Sequence, residues 1–240
     1  MAEKKIVVVQ LSGGNDYLNC VIPYNNPDYV DNRPNVRITE DEVIPIGNGL
    51  GMNPAMAPIK DLYDQGKVAV VHGVGYPIPN RSHFRSMDIW HTAEPTKVGN
   101  EGWLGNTINQ LHPQHDNVVA AVNFGSGLPR ALVSHGAPVA SVTDLETYGL
   151  MSHMGDTSQR DEALQAFRDM YTQALGSGPV MDYLSQTGLD ALKGADILGT
   201  VTEKYSSDVE YATNSFAKAM KGAAQVLQAD IGTRICYTQH

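Results

Sequence analysis

Two short segments carry residues whose types and spacing could support chemistry. The first is Ser12-Gly13-Gly14-Asn15-Asp16, which follows an apolar run at residues 6–11. Parallel α/β sheets bind ligands at the carboxyl ends of their strands. A glycine-rich loop there could bring backbone N–H groups to an anion, and Asp16 could hold a metal ion. The ordinary alternative is a tight turn in which Asp16 caps a backbone group, and the segment alone favours that alternative.

The second segment is Asn80-Arg81-Ser82-His83, at the start of a predicted helix. A serine at a helix N-terminus lies at the positive end of the helix dipole, which favours its alkoxide or a bound anion. Arg81 could bind a phosphate or sulfate group, and His83 could act as a base or as a ligand. Serine is also a favoured N-cap residue, and taken alone the segment favours that purely structural role.

The remaining histidines carry weaker signals. His72 ends an apolar run and is interpreted as a core residue with a satisfied side chain. The others are interpreted as surface residues or lack a recognisable ligand spacing: His91, His112, His115, His135 and His153. No Ser-His-Asp triad can be assembled from the spacing of these residues.

Five apolar segments have the composition of β-strands. Residues 6–11 form a nearly continuous β-branched run, which predicts a central strand buried on both faces of a parallel sheet. Further strands are predicted at residues 68–72, 118–122, 138–142 and 234–237. Residues 23–58 are rich in Pro, Asn and Gly. We therefore expect little regular structure there before a short helix that ends near residue 65.

Helical patterns dominate the later part of the chain. From about residue 158 the apolar spacing is helical as far as Gly176, and a shorter helix is expected after Pro179. The strongest helix is predicted over residues 208–229, with a capping box that starts at Ser207. Alternation of strands and helices predicts an α/β fold, with a mostly parallel sheet flanked by helices. We expect one domain over residues 1–240, with a possible helical insertion at 150–205.

Composition excludes some classes of partner. The 240 residues carry a formal net charge of -9, without a basic cluster, so we expect no nucleic-acid partner. Apolar stretches are too short to span a bilayer, so no membrane partner is expected either. The N-terminal apolar run is too short for a signal peptide, and two well-separated thiols, Cys20 and Cys236, fit a reducing compartment. These features predict a cytoplasmic protein, although one disulfide between the thiols stays an alternative.

A family resemblance adds to these observations. The run VVVQLSGGNDYLNCVIPYNNPDYVDNRP resembles the opening of the bacterial family known as domain of unknown function 1501. So does GLGMNPAMAPIKDLYDQGKVAVVHGVGYPIPNRSHFRSMDIWHTAEP, continuing to Gly-Trp-Leu-Gly at residues 102–105. These segments cover most of residues 6–106 in order. The family is grouped with the alkaline phosphatase and sulfatase superfamily.

The resemblance implies a fold, a cofactor and a site. It implies an alkaline-phosphatase-like sheet with one or two divalent metal ions, such as zinc, calcium or magnesium, and an anionic ester as substrate. By position, Ser82 matches the nucleophile, with Arg81 and His83 as its neighbours. Asp16 matches the metal-binding aspartate after the first strand, and Asn15 supports it. We therefore expect Asp16 and Ser82 to lie at one edge of the sheet, close enough to share an ion or anion.

The chain departs from the family pattern in ways that affect these expectations. Asn53 stands where the family often has histidine, and the twin-arginine export signal of many relatives is absent. The family continues beyond the equivalent of His240 into further metal-binding motifs. The resemblance therefore implies a fold incomplete at its C-terminal end, without turnover as this chain alone. It also implies an exposed sheet edge that favours self-association.

Two rival functions stay open. The Ser12–Asp16 motif is similar to the SGGxD loop of PP-loop ATP pyrophosphatases, although Tyr17 stands where that motif continues with serine or threonine. The other rival is a binding or assembly module that keeps the fold without an activity. Nucleotide binding would indicate the first, and a full-length protein without metal would indicate the second.

Overall fold

The computed structural model describes residues 3–13, 15–146, 148–149, 154–171 and 178–240. The strands are β1 (Ile6–Gln10), β2 (Val21–Ile22), β3 (Ile44–Gly47), β4 (Leu50–Met52), β5 (Ala121–Phe124), β6 (Val139–Val142) and β7 (Ile235–Gln239). The helices are α1 (Pro27–Asn32), α2 (Ala57–Asp64), α3 (His83–Thr92), α4 (Trp103–Leu111), α5 (Thr157–Asp169), α6 (Pro179–Gly199) and α7 (Ser215–Gln228).

The chain divides into two compact units. The sheet unit combines the residues up to Gln10 with Pro77–His240, and the hairpin unit is Leu11–Tyr76. Each unit has its own β-sheet. The prediction of one domain over residues 1–240 stays a prediction.

The sheet unit contains a parallel sheet with the strand order β1-β7-β5-β6. Every neighbouring pair is parallel, and Tyr237 of β7 lies between Val8 of β1 and Asn123 of β5. The predicted α/β class, with a mostly parallel sheet flanked by helices, is confirmed. The strands predicted near residues 118–122, 138–142 and 234–237 correspond to β5, β6 and β7, shifted by a few residues.

Helices cover both faces of this sheet. On one face, Leu198 of α6 and Val226 of α7 pack in a buried cluster with Cys236. On the other face, Leu104 of α4 packs with Tyr237 in a second cluster. Because side chains alternate along a strand, neighbouring residues of β7 supply both cores. Removal of these apolar side chains from water is the main stabilising contribution to such a layered unit.

The prediction that residues 6–11 form a central strand is wrong. β1 is an edge strand in the described sheet and pairs only with β7. Ile6 is 47% exposed, and Val7 and Val9 are each 36% exposed. A β-branched run fits a pleated backbone at either position, so composition alone did not distinguish an edge strand from a central one.

The hairpin unit holds more regular structure than its composition predicts. Its antiparallel sheet has the order β2-β4-β3 and packs with α1 through Ile22, Tyr29 and Val43. β3 and β4 are joined by Asn48 and Gly49, whose φ angles of 54° and 73° match a two-residue type I′ turn. α2 confirms the predicted short helix. The prediction of a strand at residues 68–72 is wrong, because those residues pair with no described strand.

Two helices differ from their predicted bounds. α6 is 21 residues long rather than short, and α7 begins at Ser215 instead of near residue 208. Asn214 caps α7 by accepting a hydrogen bond from the N–H of Ala217, whereas Ser207 accepts one from Val209 within the preceding loop. The predicted helix end at Gly176 lies outside the described residues, and the insertion at 150–205 stays a prediction. No helix in the described ranges is long and apolar enough to cross a membrane.

Candidate functional site

Ser82 is the N-cap residue of α3. Its backbone is extended, with φ -75° and ψ 122°, and its Oγ accepts a hydrogen bond from the N–H of Arg85 at 3.4 Å. The turn before the helix is fixed by Asn80, whose Oδ1 accepts from the N–H of Ser82 at 2.8 Å. The first helical bond joins the N–H of Ser86 to the carbonyl of Ser82 at 2.9 Å. The structural role that the sequence favoured for Ser82 is therefore present.

The neighbours of Ser82 are exposed. Arg81, Ser82 and His83 all face solvent, and neither Arg81 nor His83 makes a side-chain hydrogen bond with a described residue. The first turn of a helix also presents backbone N–H groups that lack helical partners. The start of α3 therefore combines four groups that are close in sequence: a guanidinium, an imidazole, a hydroxyl and the positive end of the helix. Such groups are suited to bind an oxyanion.

Arg85 holds the chain that follows α3. Its Nη2 donates to the carbonyls of Glu94 at 3.0 Å and Lys97 at 2.6 Å. Its Nη1 is buried and has no hydrogen-bond partner among the described residues. Arg85 therefore fixes the loop after α3 against the first turn of the helix, a contact for which the sequence carried no signal.

The last turn of α3 reaches the carboxyl end of β1. His91 Nε2 lies 2.8 Å from Oε1 of Gln10, and the hydroxyl of Tyr237 donates to the same oxygen. Because that oxygen only accepts, His91 carries its proton on Nε2 in this arrangement. Burial lowers the pKa of His91, against the opposing charge of Asp88, so the imidazole is neutral. Sequence analysis assigned His91 no role.

α3 therefore does not bring Ser82 to this cluster. Ser82 precedes His91 by nine residues, which corresponds to about 13 Å along a helix axis. Gln10, Tyr237 and His91 gather at the carboxyl ends of β1 and β7, whereas Ser82 lies at the opposite end of α3. It is the C-terminal end of α3, not the end that carries Ser82, that contacts the carboxyl end of β1.

Asp16 lies in the hairpin unit and is bound by Arg33. Arg33 Nη1 donates to Oδ2 at 2.6 Å and Nη2 donates to Oδ1 at 3.0 Å. This hydrogen-bonded guanidinium lowers the pKa of Asp16 below its usual value. Asn19 and Tyr29 support the pair: Nη1 also lies 3.4 Å from Oδ1 of Asn19, which accepts from the Tyr29 hydroxyl at 2.8 Å.

The donors present do not fit a divalent metal ion as they stand. Both oxygens of Asp16 accept hydrogen bonds from Arg33, and Oδ1 of Asn15 lies 3.3 Å from the Cys20 thiol that donates to it. The described part of the chain contains no group of three or more His, Cys, Asp or Glu side chains arranged for a metal. The metal expectation, and the expectation that Asp16 and Ser82 share a ligand, both stay predictions.

No family model matches the chain, and neither a curated protein nor a solved structure does.

Proposed function

We propose that this chain carries the nucleophile segment of a metal-dependent phosphate- or sulfate-ester hydrolase of the alkaline-phosphatase type, with Ser82 as the nucleophile. The observation that carries the proposal is the start of α3, where exposed Ser82 stands between Arg81 and His83 at the positive end of a ten-residue helix. These groups suit an ester whose transferred group carries several anionic oxygens.

The proposed reaction has two steps. Ser82 Oγ forms a bond to the phosphorus or sulfur atom as the bond to the substrate's alcohol oxygen breaks. In this proposal His83 accepts the serine proton and passes it to the departing oxygen. Arg81 pairs with the oxygens of the transferred group. Water then attacks the serine ester, which releases phosphate or sulfate and restores the hydroxyl group.

Metal binding by this chain is expected to be weak. A divalent ion at Asp16 must displace Arg33, because the two carboxylate oxygens already accept its hydrogen bonds. One carboxylate and one amide also leave most positions around such an ion to water. We therefore expect the chain alone to bind oxyanions at α3 without catalysing appreciable turnover.

The binding test is a titration of the 15N-labelled chain with inorganic phosphate at constant ionic strength. Saturable shifts are expected for the amides of residues 82–85, and Arg81→Gln should weaken them. Arg37→Gln removes the same charge from the hairpin unit and is the matched control. The absence of saturable shifts at α3 would contradict the proposed site.

The catalytic test measures hydrolysis of p-nitrophenyl phosphate and p-nitrophenyl sulfate with added zinc, magnesium or calcium. Ser82→Asn retains a residue that caps helices but removes the nucleophile, whereas Ser82→Thr retains both properties. Any turnover should be lost in the asparagine variant and retained in the threonine variant. Turnover that survives Ser82→Asn would rule out Ser82 as the nucleophile.

A second candidate, an assembly module without an activity, is favoured by one observation. Ile78 is 93% exposed and Phe84 is 89% exposed, so two large apolar side chains flank Ser82 in sequence. A protein contact would remove these large apolar side chains from water, which is a stabilising contribution. Concentration-dependent association that Phe84→Ser abolishes, with no phosphate effect at residues 82–85, would favour this candidate over the hydrolase.

A further inference from the structure

A cleft of about 610 Å³ opens in the sheet unit where β5 and β6 end and α7 begins. Its walls are Phe124 at the end of β5, residues 143–146 after β6, the irregular segment 205–213, and one face of α7. The carboxyl ends of parallel strands are the usual position of ligand sites in α/β sheets. The volume also falls within the range of small-molecule sites.

One face of α7 supplies polar side chains to this cleft. Lys218, Lys221 and Gln225 line it, and their spacing of three and four residues places them on the same side of the helix. Gln225 is only 6% exposed, and its side chain makes no hydrogen bond with any residue the structure describes. Gln225 therefore offers the cleft an amide without a hydrogen-bond partner among the described residues, in a side chain that is otherwise largely buried.

Both positive and negative side chains line this cleft. Lys218 forms no ion pair within the described ranges, whereas Lys221 Nζ lies 3.4 Å from Oε1 of Glu146 in a solvent-exposed pair. Asp144 adds a carboxylate, whose Oδ1 accepts from the N–H of Glu146 at 2.9 Å. The N-terminal end of a 14-residue helix adds a partial positive charge. Lys218 is thus the cation that remains available to a ligand.

The opposite wall adds hydroxyl groups. The hydroxyls of Tyr205 and Tyr211 lie 3.1 Å apart, and both side chains line the cleft. A hydrogen bond with Ser207 lowers the pKa of Tyr205. Phe124, which is 5% exposed, contributes an apolar side chain to the lining of the cleft. An apolar floor with a few convergent polar groups is typical of small-molecule sites.

We propose that this cleft binds a small organic oxyanion, a carboxylate or a phosphate monoester, in a site separate from Ser82. Lys218 pairs with the anionic group, Gln225 bonds to a polar atom deeper in the cleft, and the Tyr205–Tyr211 pair contacts the ligand at the rim. The proposal depends on α7 and the strand ends, and does not require Ser82 to be a nucleophile.

The test is a titration of the 15N-labelled chain with inorganic phosphate and, separately, with acetate, at an ionic strength held constant with sodium chloride. We expect saturable shifts of amides in residues 205–225 with at least one of these anions. Acetate alone would identify a carboxylate site, and phosphate alone a phosphate-ester site. Shifts confined to residues 82–85 would support the α3 site while overturning this one, as would no saturable shift in residues 205–225.

Variants separate a specific site from general charge attraction. Lys218→Gln should weaken binding roughly tenfold, the effect of losing one charge-assisted hydrogen bond. Lys193→Gln makes the same change on the exposed face of α6 and should leave the affinity unchanged. Gln225→Met retains the side-chain length but removes the amide, and should also weaken binding. Equal weakening by Lys218→Gln and Lys193→Gln, or unchanged affinity in both cleft variants, would overturn the proposal.

Discussion

Arg33 and Asp16 form a bidentate ion pair, with one guanidinium nitrogen on each carboxylate oxygen at 2.6 and 3.0 Å. The two residues lie 17 positions apart, on either side of β2 and α1. A planar fork matched to a carboxylate gives a defined geometry as well as an attraction. The pair therefore fixes the loop that follows β1 to the end of α1 within the hairpin unit.

Arg33→Gln should make the melting temperature depend less on pH in the acidic range. The pKa of Asp16 is lowered in the folded state, so its stabilising contribution is present above the unfolded pKa and is lost as the pH falls through the folded pKa. The Asp16 side chain is 41% exposed, and solvent screening keeps the effect small. We expect a melting temperature about 1–3 °C lower at pH 7, with the difference from wild type closing as the pH falls through the lowered folded-state pKa of Asp16.

Asp16→Asn should show the same loss at pH 7, because either change removes the pair. Lys60→Gln, which breaks the exposed pair of Lys60 with Asp64, is the matched control. Thermal melts of all three variants between pH 2 and pH 7 measure the effect. A difference between wild type and Arg33→Gln that stays constant across this range would show that the ion pair does not set it.

Ser82→Ala should destabilise the chain through the loss of the helix cap. The Ser82 bond to the Arg85 N–H is long, at 3.4 Å, so we expect the lower part of the usual range, about 0.5–1 kcal/mol. Ser82→Asn should be close to neutral because asparagine also caps helices. Urea unfolding measures both free energies, and equal losses in the two variants would show that capping is not the cause.

Gly222 of α7 lies against the ring of Phe124 in β5. A Cβ at this position would lie 2.6 Å from Cε1 of Phe124, a ring that is itself buried. Gly222→Ala should therefore destabilise the chain by about 1–3 kcal/mol, in spite of the better helix propensity of alanine. Gly199→Ala, at the end of α6, meets no atom within 4 Å and should be neutral or stabilising by up to about 1 kcal/mol. Chemical denaturation of the two variants provides the comparison, and a stabilised Gly222→Ala chain would contradict this packing.

The two thiols should differ in reactivity. Burial raises the pKa of Cys236 to about 12, and the residue is fully buried in β7. Cys20 is partly exposed and also has a raised pKa, chiefly through burial. At pH 8 a chromogenic disulfide reagent should label Cys20 slowly and leave Cys236 unmodified until the chain is unfolded. Rapid labelling of two thiols in the native chain would show that β7 is accessible.

Self-association is expected through β1. This edge strand exposes Val7 and Val9 on one face, and unpaired strand edges readily pair with another chain. Val9→Lys should reduce concentration-dependent association in analytical ultracentrifugation, because charges on edge strands oppose such pairing. Val36→Lys, at a residue that is 59% exposed in the hairpin unit, is the control and should have no effect. A monomeric wild-type chain at all concentrations would contradict the prediction.

Features that depend on neighbouring residues were predicted better than features that depend on contacts between distant parts of the chain. The serine cap at Ser82 followed from sequence because a cap involves only neighbouring residues. The position of β1 at the sheet edge depends on which distant strands lie beside it, and an apolar run does not contain that information. The start of α7 was placed too early because Ser207 satisfies a turn motif, whereas Asn214 makes the cap.

The candidate sites also depend on contacts between distant residues, which the sequence did not predict. Asp16 was singled out from its motif, but its partner Arg33 lies in the segment that was expected to be irregular. His91 had no ligand spacing, and only the docking of α3 brings it to Gln10. Gln225 and Lys218 lie in a helix whose face could be predicted. The cleft they line is formed in part by the ends of β5 and β6, which lie much earlier in the chain.

The strand order also determines when this protein can fold during its synthesis. β7 lies between β1 and β5, so within the described sheet β1 has no partner until β7 has been synthesised. The bond between Tyr237 and Gln10 spans 227 residues. Contacts of such sequence separation form slowly, since the entropy of closing the loop is lost before the contact is gained. Until β7 is made, the apolar strand β1 stays without its neighbour in this sheet, and its unpaired edge favours aggregation of the nascent chain.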